Sequence, residues 1–208
     1  MTAFEKTFNC MKKTWVIAVY IVLTVLSYYF IDRSLALYFH QLDIRANMHF
    51  LSTLTVLGQW KIYAFLLFFA GVYFRNIRRN SLYEGRSWYL LACVMIPNLF
   101  GFVVKIVLGR ARPDLLFSID YFGFYGFKLN NLYWSFPSGH TLTSTALASG
   151  LGVIFPRYFY AFLGGALLVA SSRILLYHHY LSDVMTGLYM SLLLVGIFTH
   201  YFKPGTNS

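Results

Sequence analysis

Six long apolar stretches, separated by short polar or basic segments, dominate the chain. They fall at about residues 15–31, 62–74, 88–108, 138–155, 158–176 and 180–202. A membrane-crossing helix needs roughly 20 mainly apolar residues, so each stretch reads as a spanning helix, the second starting a few residues early to reach that length. Lys12 and Lys13 precede the first, and Asp32 with Arg33 ends it. Arg75, Arg78 and Arg79 stop the second, Pro97 predicts a kink in the third, and Phe155, Pro156 and Arg157 close the fourth. Between the first two stretches, Leu35, Leu37, Tyr38 and Phe39, then Met48, Phe50, Leu51, Leu54 and Leu57, alternate with polar residues. That pattern predicts short amphipathic helices at the membrane interface rather than a span. Residues 109–136 read as a long polar loop, and no repeat or low-complexity segment is present. The expected fold is an all-α integral membrane bundle of six transmembrane helices with a short amphipathic interfacial segment, one domain over residues 1–208.

Composition supports this. Hydrophobic residues make up 58% and charged ones only 12%, against about 25% charged in soluble domains. The 20% aromatic share suits a chain with two bilayer interfaces to anchor it. A net charge of +10 raises the idea of nucleic acid. That would need a soluble basic face, whereas these cations sit between apolar runs, so anionic headgroups or an anionic substrate fit better. Cys10 and Cys93 are not expected to pair. No small-residue cleavage site follows the first apolar stretch, which is therefore expected to be a retained helix. Six spans place both termini on one side. With that side cytoplasmic, nine Lys and Arg, Lys203 among them, face the cytoplasm and eight face away. The raw bias is small, and the cluster Arg75, Arg78, Arg79 and Arg86 decides for cytoplasmic termini.

Three segments carry chemistry: Lys105 through Arg112-Pro113, Pro137-Ser138-Gly139-His140, and Ser172-Arg173 through His179 to Asp183. In the six-span topology all three open on the same side. Charges at hydrocarbon depth are costly and mark polar cavities. Lys105, Arg112 and Arg173 repel one another unless an anion joins them, and guanidinium groups match phosphate oxygens with paired hydrogen bonds. The helix opening at Ser138-Gly139 adds free backbone N–H groups and a positive dipole end. His179 and Asp183 are four apart and share a helix face, so the carboxylate can orient one ring nitrogen and leave the other as nucleophile. His140, from another helix, is placed to act as general acid and then general base.

These segments resemble the three signatures of the type 2 phosphatidic acid phosphatase superfamily, KxxxxxxRP, PSGH and SRxxxxxHxxxD, with every position matched in order. The resemblance implies that His179 forms a phosphohistidine, that Asp183 orients it, and that His140 protonates the leaving oxygen and then activates water. It implies that Lys105, Arg112, Arg173, Ser138 and Gly139 hold the phosphate, with no metal and no cofactor. The expected activity is hydrolysis of a phosphate or diphosphate from a bacterial envelope lipid: undecaprenyl diphosphate, phosphatidylglycerol phosphate, phosphatidic acid or lipid A 1-phosphate. The expected setting is the bacterial inner membrane, multi-pass, with the site facing the periplasm or exterior. The partners are the bilayer and its lipid substrate, with no nucleic acid and no required protein. A lipid phosphotransferase on the same scaffold and a non-catalytic lipid or anion transporter are the alternatives. A vanadate-dependent haloperoxidase shares the motifs, but such enzymes are soluble.

An isolated Lys or Arg at a helix end usually snorkels to the interface, and an isolated His is usually structural. Motif spacing removes that reading for Lys105, Arg112, Arg173, His140 and His179. Arg110 is a candidate either for touching the substrate or for supporting groups that do, and His178 for a headgroup contact. His40, His49 and His200 are assigned structural places. The aromatic run from Phe117 to Trp134 reads as an interfacial belt, a specificity element over the opening, or both, and Asn130 and Asn131 as turn or cap residues.

Overall fold

The computed structural model describes residues 1–202, and also leaves out the side chains of Asn47 and His49. Lys203, the end of the expected domain and the place assigned to His49 lie outside the described residues. Among those residues no strand forms, and the chain is helical apart from loops and two isolated bridges.

Six longer helices correspond to the six apolar stretches: α2 (Thr14–Phe30), α6 (Trp60–Asn76), α7 (Ser81–Leu108), α9 (Gly139–Ile154), α10 (Phe159–Leu175) and α11 (Leu181–Tyr201). Three of the helical stretches are long and apolar enough to cross a membrane, with up to five if each bent helix pair counts as one span. α9 is the shortest of the six, with α2, α6 and α10 one residue longer. Its 16 residues reach about 24 Å, less than the roughly 30 Å hydrocarbon core. It lies at the centre of the bundle, buried along most of its length against α7, α10 and α11. α7 runs through Pro97 as one helix.

Short elements fill the gaps. α1 (Ala3–Met11), absent from the sequence reading, begins with a capping box between Thr2 and Glu5 and meets α2 at 75°. Its Phe4 and Phe8 pack on Phe159 and Gly196, so α1 closes the end of the bundle where α11 finishes. The amphipathic segment forms α3 (Asp32–Gln41), α4 (Ile44–Asn47) and α5 (His49–Val56), as its pattern predicts.

The stretch 109–136 is more ordered than a polar loop. It contains α8 (Pro113–Ile119), started by Pro113 in the first turn, where its missing N–H costs nothing. The rest folds back over the end of α7. Tyr125, Gly126 and Lys128 donate backbone N–H groups to Gly109, Leu108 and Ile106, satisfying carbonyls that the ending helix leaves open. Gly109 makes this fit. It sits in the left-handed region at φ 52°, and a Cβ there would lie 1.9 Å from the Gly126 carbonyl oxygen.

Candidate active site

The three motifs meet at one end of the bundle. α7 delivers Lys105 at its end, α9 delivers Ser138, Gly139 and His140 at its start, and α10 delivers Arg173 at its end. The turn from α10 into α11 holds His178 and His179, and the first turn of α11 holds Asp183.

Backbone bonds fix this convergence. Ser138 N–H donates to the Asp183 carbonyl at 3.1 Å, tying the start of α9 to the start of α11. The Ser138 hydroxyl accepts from Thr141 at 3.0 Å and makes no cap bond, leaving the first-turn N–H groups of α9 without a side-chain partner. The Arg173 carbonyl accepts from the His178 and His179 N–H groups at 3.0 and 3.2 Å. Lys105 Nζ donates to the Trp134 carbonyl at 3.0 Å and to the Pro137 carbonyl, so the ammonium lies beside the start of α9. Arg112 Nε donates to the Asn131 carbonyl, and Arg173 donates to Thr55 on α5. Among the described residues, Arg173 Nε is buried without a hydrogen-bond partner, as is His179 Nδ1. Asn130 caps the turn through its side chain to Leu132 N–H.

His179 is 3% exposed, and its Nδ1 stands 3.5 Å from Asp183 Oδ2, longer than a hydrogen bond. The carboxylate is firmly held all the same. Oδ2 accepts from the Ser135 hydroxyl at 2.6 Å and from Tyr180 N–H at 2.9 Å, and Oδ1 accepts from Arg110. Burial first, then the neighbouring Arg112, Arg173 and Lys105, hold the His179 ring well below the ordinary imidazole range, so it is neutral at pH 7. His178 is pushed down to about 3, by burial and then by Arg173 and Arg45. His178 Nδ1 lies 3.2 Å from Arg45 Nη2, and Arg45 also donates to the Leu176 carbonyl.

Arg110 is fully buried, paired with Asp32 at 2.7 Å and with Asp183, and so underlies the cluster without facing it. Burial alone would lower its guanidinium from the ordinary value, but Asp183 and Asp32 more than reverse that and hold it raised. Of the two readings of Arg110, support of other groups is the one its burial favours. The neighbours that the motifs do not reveal are Asp32, Arg45, Thr55, Gly58, Ser135 and Ser182. Gly58 touches His140, since a Cβ there would lie 2.6 Å from the His140 Cβ. Of these, only Asp32 left a signal, as a carboxylate directly beside an apolar stretch. A cavity of about 330 Å³ adjoins Lys105 and Gly139, with Trp60, Leu99, Phe102 and Leu142 in its apolar wall. His40 stacks on Phe117 at 4.0 Å, a structural place, and His200 is exposed near α1.

The chain is 34% identical to a lipid A 1-phosphatase of Rhizobium johnstonii over 137 residues, 62% of this chain and 56% of that protein. It is also 34% identical to a lipid A 1-phosphatase of Rhizobium etli over 130 residues, 59% of this chain and 56% of that protein. The chain thus spans about half the length of the curated relatives it matches. No solved structure matches it. The sequence profile of the PAP2 superfamily matches residues 86–206, a stretch that runs from α7 past the end of α11 and holds all three motifs, so the chain belongs to that superfamily.

Proposed function

We propose that this protein is a membrane-embedded lipid phosphatase that works through a phosphohistidine on His179. The observation that carries the reading is the gathering of Lys105, Arg112 and Arg173 around a buried, neutral His179 backed by Asp183. With Nδ1 turned toward Asp183, the Nε2 lone pair is the one left to attack phosphorus. The bond from phosphorus to the lipid oxygen breaks, and that oxygen takes a proton from His140. Water, giving its proton to His140, then attacks phosphorus and returns His179 free with inorganic phosphate. Lys105, Arg112, Arg173 and the open start of α9 balance the charge on the phosphate oxygens throughout. His178 is assigned a contact with the headgroup.

The apolar cavity beside Lys105 and Gly139 supports a substrate whose tail stays among the helices while its phosphate reaches the cations. The names of the relatives make the 1-phosphate of lipid A the first choice, ahead of undecaprenyl diphosphate, phosphatidylglycerol phosphate and phosphatidic acid. All six longer helices are read as spans, with α9 buried along most of its length among its neighbours. The termini face the cytoplasm and the site faces the periplasm, in a bacterial inner membrane.

The test is phosphate release from these four lipids in detergent with EDTA present. Wild type is expected to release phosphate despite the chelator, and His179→Ala to lose activity on the order of 10³-fold or more. A His179→Ala protein with wild-type turnover would remove His179 as nucleophile and turn the reading toward a transporter.

A further inference from the structure

Asp32, the first residue of α3, lies outside every motif and is separated by 78 and 150 residues from Arg110 and Ser182, which it binds. It is 1% exposed, and its carboxylate joins Ser27 on α2 to Arg110 and Ser182 beside the site. Its Oδ1 accepts from the Ser182 N–H at 3.0 Å and from the Ser27 hydroxyl at 3.1 Å. Its Oδ2 accepts from Arg110 Nη2 at 2.7 Å and from the Ser182 hydroxyl. Arg110 Nη1 then donates to the Ser182 hydroxyl at 2.7 Å and to Asp183 Oδ1. Rings of Tyr180 and Tyr28 lie 4.4 and 5.0 Å from the guanidinium and keep water from it.

The charge balance makes this more than a structural tie. One buried guanidinium shared by two carboxylates leaves one net negative charge. A guanidinium holding Asp183 alone would neutralise it, and the His179 ring would lose the anion that steadies positive charge arising on it as its nitrogen bonds phosphorus. The unpaired Nη2 would also be stranded in the interior, which costs far more than a hydrogen bond gains.

We infer that Asp32 is a positioning residue for the reaction: by holding the far side of Arg110 it leaves the buried Asp32–Arg110–Asp183 group with a net negative charge and keeps the Asp183 carboxylate aimed at His179. The inference rests on the functional reading above. Asp32 touches neither the phosphate cations nor the cavity wall, so its removal acts on turnover and not on binding.

The experiment measures kcat and KM for phosphate release, and the inhibition constant of inorganic phosphate. It uses the full chain in detergent, as wild type, Asp32→Asn, Asp32→Glu and Ser182→Ala, with folding checked by helical circular dichroism. Groups that orient a reacting side chain are worth about 10–100-fold, and Asp32→Asn is expected to lose that in kcat. KM and the phosphate inhibition constant are expected to stay within about twofold. Asp32→Glu should recover part of the loss, because charge returns. Should Asp32→Asn fail to fold, Ser182→Ala decides: it removes one bond from both Asp32 and Arg110 without a charge change, with an expected kcat loss of about threefold to tenfold at constant KM. Wild-type kcat in Asp32→Asn, or in Ser182→Ala where that variant decides, overturns the inference. So does a loss shared equally by kcat and phosphate binding. A wild type that releases no phosphate from any lipid sinks the functional reading and this inference together, whereas an active wild type matched by Asp32→Asn sinks this inference alone.

Discussion

At the scale of single residues, the site depends on groups held where their own chemistry would not put them. His179 is buried among cations, and its ring stays neutral below the usual imidazole range. The sign for stability follows directly. Above about pH 6.5 the ring is neutral in both folded and unfolded chains, and its contribution is fully present. As pH falls below that value the unfolded chain takes up the proton first, and stability is lost down to the folded value, which for His178 is about 3. The melting temperature in detergent is therefore expected to fall between pH 7 and pH 5, and His179→Gln is expected to flatten part of that slope. An unchanged slope would argue against a neutral buried ring. Gly58 offers a second test. A Cβ there would lie 2.7 Å from His140 Cδ2, so Gly58→Ala must move that ring. General acid–base catalysis is worth about 10²–10⁴-fold. A tenfold or larger fall in phosphate release at unchanged helical signal is expected for Gly58→Ala, whereas full activity would separate His140 from the reaction.

At the scale of elements, the proposed phosphate cradle depends on how closely α9 can approach α11. Gly187 on α11 faces Ser138 and Thr141 at the start of α9, and a Cβ there would lie 3.0 Å from the Ser138 carbonyl and 3.2 Å from Thr141 Cβ. Small residues allow such approach between helices. Gly187→Val is expected to wedge the pair apart and loosen the Ser138 N–H bond to the Asp183 carbonyl. KM should rise several-fold and the melting temperature should fall, both read on the same detergent sample; unchanged KM would mean that the start of α9 does not hold the anion. Sequence spacing predicted the helices of this pair, with boundaries one residue away at each facing end. The glycine contact was not legible there, because a glycine in an apolar run looks the same whether it meets lipid or another helix.

At the scale of the whole molecule, the motifs lie at one end of the bundle and α1 packs at the other. Cys10 on α1 is exposed and Cys93 is buried, so the chain carries its own reporter for one end. In intact spheroplasts, a membrane-impermeant maleimide is expected to miss Cys10 and to label a cysteine placed at exposed Ser118 on α8. The reverse pattern would invert the orientation that the Arg75, Arg78, Arg79 and Arg86 cluster predicts.

The sequence determined the parts of this protein that depend on local spacing. Apolar run length set where the longer helices form, because a run of apolar residues is stable as a helix whatever surrounds it in a bilayer. The three motifs singled out Lys105, Arg112, His140, Arg173, His179 and Asp183 as candidates because the proposed phosphoryl chemistry needs those groups in those intervals. The tertiary structure alone decided what stands behind them. Asp32 reads as a helix terminator until folding sets it on Arg110 and Ser182. Arg110 reads as a substrate contact or a supporting group until its burial between two carboxylates favours the second. Gly58 carries no signal at all until His140 leans on it. Each of these is a pairing between residues far apart in the chain, and pattern and spacing are blind to such pairings because they describe only what neighbours do along the backbone.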